Sequence, residues 1–533
     1  MTHHSGYAAW QASFRWRVPT AFNIAAGILE RHDPNRLALI DARDDAPTRE
    51  YGYGELDLLS NRLANMLFRR GIAFEDRVAV LMPQRAEVAV AHFAIYKTGA
   101  VAVPLFSAFG AEALRFRLKD AGVRFVVADA AGAQKVAALR GDLPELEAVL
   151  DVDSPAFAQA MQESNTWCAH EATHAEDPAL IIYTSGTTGA PKGAVHAHRV
   201  LLGHLPGVEM PHEGLAKDGD RFWTPADWAW IGGLLDVLLP SLYCGVPVVA
   251  GPGGKFEPER VAAFMARHQV RNVFMPPTAL RLMRQAEPDL ADVELRSLAS
   301  GGERLGDELV AWARDAFGCD VNEFYGQTEA NLVVSGMASD FPRRGGAIGR
   351  AVPGHTVAIV DDDGAVKPWD EPGHIAVHHP DPVLFLGYWN NPEATRAKYR
   401  GDWLLTGDTG RMDRDGYVTF LGRDDDLINA AGYRIGPAEI EAAIGEHPEV
   451  AQVAVVGIPD ETKGEAVVAC VVPRRAGGGD EVLACELQLR AREAVGPHAV
   501  PREVVFRTSL PLTATGKVLR RDLRAMLAAD REA

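Results

Sequence analysis

Leu180-Ile181-Ile182-Tyr183-Thr184-Ser185-Gly186-Thr187-Thr188-Gly189-Ala190-Pro191-Lys192-Gly193 is the stretch on which the reading of this chain turns. Its apolar start reads as a strand. The three glycines, four hydroxyls and lysine that follow form a loop able to wrap a polyphosphate with backbone N–H groups. It is not a Walker A loop, because G-x-x-x-x-G-K-[ST] needs glycine at position 191 and this chain has Pro191. Composition alone also suits a surface linker. The preceding strand and the closing lysine favour the phosphate loop.

Outward from that loop, helical patterns such as Tyr53 to Arg70 alternate with short β-rich runs: Val78 to Leu81, Val101 to Val103, Phe125 to Val127, Val246 to Val249 and Val273 to Met275. Such alternation predicts an α/β fold of helix-covered, mostly parallel sheets. After about Gly345 the pattern changes to hairpins. Ile359-Val360 with Asp361-Asp362-Asp363-Gly364, His374 to Val377, and Tyr417 to Phe420 after Asp415-Gly416 suggest a smaller β-rich subdomain. A second boundary falls at Arg423-Asp424-Asp425-Asp426. It divides a large N-terminal domain, residues 1–424, from a small C-terminal α+β domain, residues 425–533. In the latter a helix is expected over Pro437 to Glu446, strands over Val450 to Val456 and Ala466 to Val472, and a surface loop at Ala476 to Gly479.

The 533 residues carry 72 acidic and 54 basic side chains, a net charge of −18, with 47% hydrophobic and 24% charged residues. That profile excludes disorder, collagen-like repeats and small stapled scaffolds. A pI near 5.4 argues against general nucleic-acid binding, so an anionic substrate must be held by a local cluster of cations and N–H groups. The five cysteines, Cys168, Cys244, Cys319, Cys470 and Cys485, show neither a metal spacing nor a disulfide framework. They suit a reducing compartment, and with no signal peptide read at the start the expected location is the cytoplasm. Val237 to Gly254, the longest uncharged stretch, is broken by three prolines and four glycines, and reads as a buried strand and turn rather than a membrane span. No residue pattern specifies an oligomeric state.

The chain resembles the adenylate-forming superfamily and, within it, the acyl-CoA synthetases. The phosphate loop matches that family's signature almost letter for letter. The likeness continues in order through Gly301-Gly302-Glu303-Arg304, Tyr325-Gly326-Gln327-Thr328-Glu329, Trp403 to Asp408, Gly422-Arg423-Asp424-Asp425 and Pro511 to Lys517. Taken singly, Asp408 would read as a turn aspartate and Glu329 as a helix-start carboxylate. Six motifs in sequence, spanning nearly the whole chain, outweigh those readings.

The resemblance implies two half-reactions with ATP, Mg²⁺ and coenzyme A: a carboxylate and ATP give an acyl-adenylate and pyrophosphate, and the thiol of coenzyme A then displaces AMP. Positioned cations and N–H donors should supply most of the catalysis. By the same likeness Thr184, Ser185, Gly186, Thr187, Thr188, Gly189 and Lys192 hold the β and γ phosphates. Thr328 touches the α phosphate and Glu329 coordinates Mg²⁺. Gly302, Glu303, Arg304, Glu323 and Tyr325 border adenine, with Gly326, Gln327 and Arg434 also counted at the nucleotide. Asp408 accepts from the ribose hydroxyls, assisted by Arg423.

Lys517 bridges carboxylate and α-phosphate oxygens in adenylation. The C-terminal domain is expected to be mobile, rotating about Asp425 so that Ala431, Gly432 and Tyr433 line the mouth of the pantetheine tunnel. Lys517 also reads as a candidate substrate of a lysine acetyltransferase, since acetylation would remove its charge.

For the acyl pocket the resemblance points to Trp230, Phe274, Met275 and Gly326, while Trp228 reads equally well as core packing. Acetyl-CoA synthetases as a group carry tryptophan where this chain has Gly326, so a deeper pocket is expected. Together with Phe14 to Pro19 and Phe22-Asn23-Ile24, this resembles the medium-chain branch. The expected activity is AMP-forming thioesterification of a medium-chain, branched or aryl acid. The alternative is a stand-alone enzyme that loads such an acid onto a carrier protein's phosphopantetheine. One departure is Gly373-His374-Ile375, where the family usually has Gly-Glu-Ile; it weakens any salt bridge assumed there and touches no catalytic role.

Overall fold

A computed structural model describes residues 6–184, 191–303, 305–423, 426, 428–430, 433–460, 464–475, 477–495, 499–512 and 518–532. Three sheets organise them, of seven, fourteen and five strands. In the seven-stranded sheet Val101–Pro104, Arg77–Leu81, Phe125–Ala128 and Ala148–Asp151 run parallel, and Pro178–Thr184 joins them beside Val101–Pro104. Val101–Pro104 and Phe125–Ala128 are buried at every position. Burial on both faces explains why they read as continuous apolar runs.

The helix Tyr53–Arg69 buries Leu56, Ser60, Leu63 and Leu67, a 3.6-residue stripe, against the helix Ala86–Lys97. The strands Pro178–Thr184 and Lys192–Ala197 pair antiparallel with Thr184 opposite Lys192, so both ends of the phosphate loop sit at one sheet edge. Residues 185–190 lie outside the described part.

The largest sheet changes character along its width. Ser297–Gly301, Asn272–Phe274, Phe222–Trp223 and Val248–Ala250 are parallel neighbours, and Val321–Gln327 runs parallel to Ser297–Gly301. On its other side Val321–Gln327 pairs antiparallel with Ala330–Ser335, and beyond lie Ala347–Ala351, Tyr417–Arg423, Trp403–Met412, Gly373–His378 and Val357–Val360. The hairpins expected after Gly345 are therefore not a separate sheet. They continue the parallel half, and Thr328 and Glu329 form the two-residue turn where the strand direction changes. At position 374 His374 Nε2 lies 2.7 Å from Asp362 Oδ1, so the departure from the family's glutamate still has an acidic partner.

Val237 to Gly254 differs from its expected strand and turn, because a short helix, Leu239–Cys244, precedes the strand Val248–Ala250. Pro240 is tolerated in the first helical turn, and Gly245, at φ +79°, ends it in the left-handed conformation. Among the described residues no helix is long and apolar enough to cross a membrane.

In the C-terminal region the helix Pro437–Gly445 and the long antiparallel strands Val450–Asp460 and Gly464–Pro473 build a separate apolar core around Ile440, Val455 and Val467. Arg520 bridges Asp426 and Glu441 there, at 3.1 and 2.6 Å.

Candidate active site

One cleft of about 2290 Å³ gathers Thr184, Lys192, Trp230, Phe274, Gly302, Glu303, Glu323, Tyr325, Gly326, Gln327, Thr328, Glu329, Asp408 and Arg423. Most stand at the carboxyl ends of parallel strands or in hairpins next to them, where open α/β sheets place ligands. Glu441, Arg474, Leu512, Val518 and Arg520 of the C-terminal region complete the wall. Ser185, Gly186, Thr187, Thr188, Gly189, Arg304, Asp425, Ala431, Gly432 and Lys517 lie outside the described residues. For Tyr433 and Arg434 only the backbone is described, in a strand paired with Ile428–Ala430.

At one end of the cleft the carboxylates are held by the protein. Antiparallel register sets Asp408 opposite Arg423, whose Nη1 is 3.3 Å from Asp408 Oδ1, and the Tyr325 hydroxyl donates to Oδ2. Each carboxylate oxygen carries more than one lone pair and can accept from more than one donor. Burial and the Asp408 charge push the Tyr325 phenol well above its ordinary range, so it stays a donor. Gln327 donates from Nε2 to the Thr406 carbonyl at 2.8 Å and accepts from Lys398 Nζ at 3.0 Å.

Glu303 accepts from Thr278 Oγ1 at 2.8 Å and Arg281 Nη1 at 3.0 Å, and Glu323 accepts from Arg343 Nη2 at 3.3 Å. Gly302 has φ +87°, a backbone state that glycine adopts freely at the end of its strand. Lys192 Nζ lies 5.2 Å over the Tyr388 ring, and the Tyr388 hydroxyl donates to Glu329 Oε1.

For a Mg²⁺ ion the residues fit in one respect. Glu329 offers a hard carboxylate oxygen at the turn, close to Lys192 through Tyr388. Among the described residues no group of three or more His, Cys, Asp or Glu could hold a metal ion, so such an ion would take its other ligands from phosphate and water.

The other end of the cleft is aromatic and apolar. Trp230 packs 5.7 Å from Phe106 and from Phe109, and Phe274 lies 5.0 Å from Phe324. Trp228 is core. Two expectations change here. Met275 is fully buried with Val273, Leu280 and Met283 and does not line the cleft. Adjacent side chains leave an extended backbone on opposite faces, so Phe274 faces the cleft and Met275 the other side. Gly326 does line the cleft, yet a Cβ there would meet Leu332 N at 2.3 Å and Asn331 Cα at 2.6 Å. Leu332, at φ +52°, bulges the neighbouring strand toward it. The glycine is required by backbone approach as well as by any need for depth.

Among the residues of this cleft that escaped the sequence reading are Tyr388, Lys398, Asp236 and Asn331. Lys398 follows the helix Pro392–Ala397 and spends its donors on Gln327 Oε1 and the carbonyls of Leu405 and Thr406. For Asp236 a signal was available: it is the lone charge in the apolar run Ile231 to Leu239.

An α/β domain whose strand ends cradle a nucleotide-sized polar cleft, continued by an aromatic pocket and closed by a small second domain, defines an enzyme that activates an organic acid with a nucleotide. The chain belongs to the AMP-binding enzyme family: residues 29–389 match the family itself and residues 439–517 its C-terminal domain. It is 31% identical to an acetyl-coenzyme A synthetase of Bacillus subtilis (strain 168), over 94% of this chain and 90% of that one. It is 32% identical to the mitochondrial acyl-coenzyme A synthetase ACSM5 of Mus musculus, over 97% and 93%. The crystal structure of the anthranilate CoA ligase AuaEII in complex with anthranoyl-AMP superposes with a TM-score of 0.86 at 30% identity, covering 96% of this chain and 99% of that one. The chain is an ATP-dependent, AMP-forming acid–CoA ligase, with ATP, coenzyme A and a carboxylic acid as its substrates.

Proposed function

We propose that the acid is medium-chain, branched or aryl. The observation that carries this is the aromatic end of the cleft, where Trp230, Phe106 and Phe274 offer apolar walls to a tail larger than a methyl group. The anthranoyl-AMP held by the related anthranilate CoA ligase supports the same size class.

In the first half-reaction a carboxylate oxygen of the acid attacks the α phosphorus and pyrophosphate leaves; in the second the coenzyme A thiolate attacks the acyl carbon and AMP leaves. Thr184, Ser185, Gly186, Thr187, Thr188, Gly189 and Lys192 hold the β and γ phosphates, and Thr328 the α phosphate. Asp408, oriented by Arg423 and Tyr325, accepts from the ribose hydroxyls. Glu323, Glu303 and Gly302 border the base. Glu329 would hold Mg²⁺, which when bound neutralises phosphate charge. Lys517 stabilises the charge that builds between carboxylate and phosphate, and the domain turns about Asp425 before Ala431, Gly432 and Tyr433 admit the pantetheine arm. Acetylation of Lys517 by a lysine acetyltransferase would silence the first half-reaction.

A panel of C2 to C12 straight, branched and aromatic acids, assayed for pyrophosphate release with free coenzyme A, tests the reading. The highest kcat/KM should fall on an acid of five carbons or more. Acetate as the best substrate would contradict it, and thioester formation only with a carrier protein would favour the loading enzyme.

A further inference from the structure

At the deep side of the aromatic pocket the chain forms a π-helical turn, Leu234–Leu238, whose five residues are all buried. Four are Leu or Val, and the fifth is Asp236. π turns are rare and are found disproportionately at functional sites. A carboxyl in such surroundings is costly unless a partner is supplied.

Among the described residues only half of that partnership is supplied. Asp236 Oδ1 accepts from Asn331 Nδ2 at 2.6 Å. Asn331 Nδ2 is also 3.2 Å from His204 Nε2, and His204 Nδ1 is 2.7 Å from the Val200 carbonyl. The carbonyl fixes the ring: Nδ1–H donates to it, leaving Nε2 as an acceptor. Burial pushes the His204 imidazole down to about 4, so the ring is neutral near pH 7. The amide can therefore present only its N–H groups, and the Asp236 carboxyl is locked in place.

Among the described residues nothing donates to the second oxygen, Oδ2. Asp236 and Asn331 both line the cleft. Gly232 keeps the approach open: a Cβ there would lie 3.5 Å from Asp236 Oδ2 and 3.0 Å from Phe274 Cε1. The vacant place beside Gly232 is thus bounded by an aromatic edge and a carboxyl oxygen.

We propose that Asp236 is a specificity-determining residue that selects acids whose tail carries a hydroxyl or amino group. The inference rests on the reading that this end of the cleft takes the acyl tail. A plain hydrocarbon tail would strip water from Oδ2 and leave it unpaired, whereas a hydroxyl or amine, able to donate to Oδ2 or to accept from it when it carries the proton, restores the lost hydrogen bond. Sites built to pair with a substrate hydroxyl or N–H reject the analogue lacking it far more strongly than apolar pockets reject a missing methylene.

The test compares kcat/KM for matched acids by pyrophosphate release with coenzyme A. The pairs are benzoate against its three monohydroxy and three monoamino isomers, and hexanoate against 6-hydroxy- and 6-aminohexanoate, in the wild type, Asp236→Asn and Asp236→Leu. In the wild type the best donor-bearing acid should exceed its plain parent by about 10²-fold or more. Asp236→Leu should erase that ratio and leave the KM for ATP within about twofold, and Asp236→Asn should reduce it with the melting temperature unchanged. Plain parents matching every polar acid in the wild type, or a ratio that survives in Asp236→Leu, would overturn the inference. If both variants fail to fold, the wild-type ratio alone decides. Absence of release with every acid would overturn the size-class reading, and this inference with it; release without a polar preference overturns only this inference.

Discussion

The two ends of the cleft treat buried carboxylates in opposite ways. At the nucleotide end Asp408 is met by Arg423 and Tyr325 and Glu323 by Arg343, while Glu329 has the neutral hydroxyl of Tyr388. At the acyl end Asp236 has, among the described residues, a single neutral partner, and burial raises its pKa well above the ordinary carboxylate value. Asp227, also on the cleft wall, is pushed up by burial to about 7, with the Ala229 backbone N–H opposing. The first end supplies Asp408 and Glu323 with cationic partners before any ligand arrives, which suits a nucleotide common to every turnover. The second leaves part of its compensation to the ligand, which makes the ligand's own polarity a term in recognition.

The sharpest break between the ends should come from Lys517→Ala. Pyrophosphate release should fall by about 10³-fold, in the range of losing one charge-stabilising donor, while thioester formation from supplied acyl-adenylate survives. Equal loss in both half-reactions would remove the division of labour.

Next is Asp408→Asn. Weakening the hydrogen bonds proposed between this carboxylate and the ribose should raise the KM for ATP on the order of 10²-fold, with the ranking of acids unchanged. A reordered ranking would mean that the ends are not independent.

A smaller effect is expected from Gly326→Ala. Its Cβ would press on Leu332 N and Asn331 Cα, so overpacking of about 1 to 3 kcal/mol should lower the melting temperature by a few degrees. An unchanged melting temperature would show that the bulge at Leu332 yields freely.

The remaining effect concerns pH. The folded-state pKa of Asp227, about 7, lies above its unfolded value. Its protonated form therefore favours folding below about pH 4, and that contribution is lost as pH rises toward 7. Asp227→Asn removes this loss, so its melting temperature should gain on the wild type between pH 4 and 8. A constant difference across that range would contradict the shift.

Legibility in the sequence follows the same divide. Asp408 and Arg423 face each other across one hairpin, and Thr328 and Glu329 are neighbours in a turn, so short motifs carry them. The helix Tyr53–Arg69 and the parallel strands were equally readable, because period and run length are local properties. Asp236 and Asn331 are 95 residues apart and meet only through packing of the π turn on a strand, which no spacing announces. Met275 was misplaced although strand alternation alone assigns it and Phe274 to opposite faces. Gly326 showed a missing side chain, while the direction in which that side chain would have pointed is a tertiary fact.

The most direct measurement is a double-mutant cycle of Asp408→Asn and Asp236→Asn, reading the KM for ATP and the kcat/KM ratio of a hydroxy acid to its plain parent in all four proteins. Asp408→Asn should move only the first quantity and Asp236→Asn only the second, with the double variant additive to within about 0.5 kcal/mol. Coupling beyond that limit, or a shift of acid preference in Asp408→Asn as large as in Asp236→Asn, would contradict the account of one cleft with two separately compensated ends.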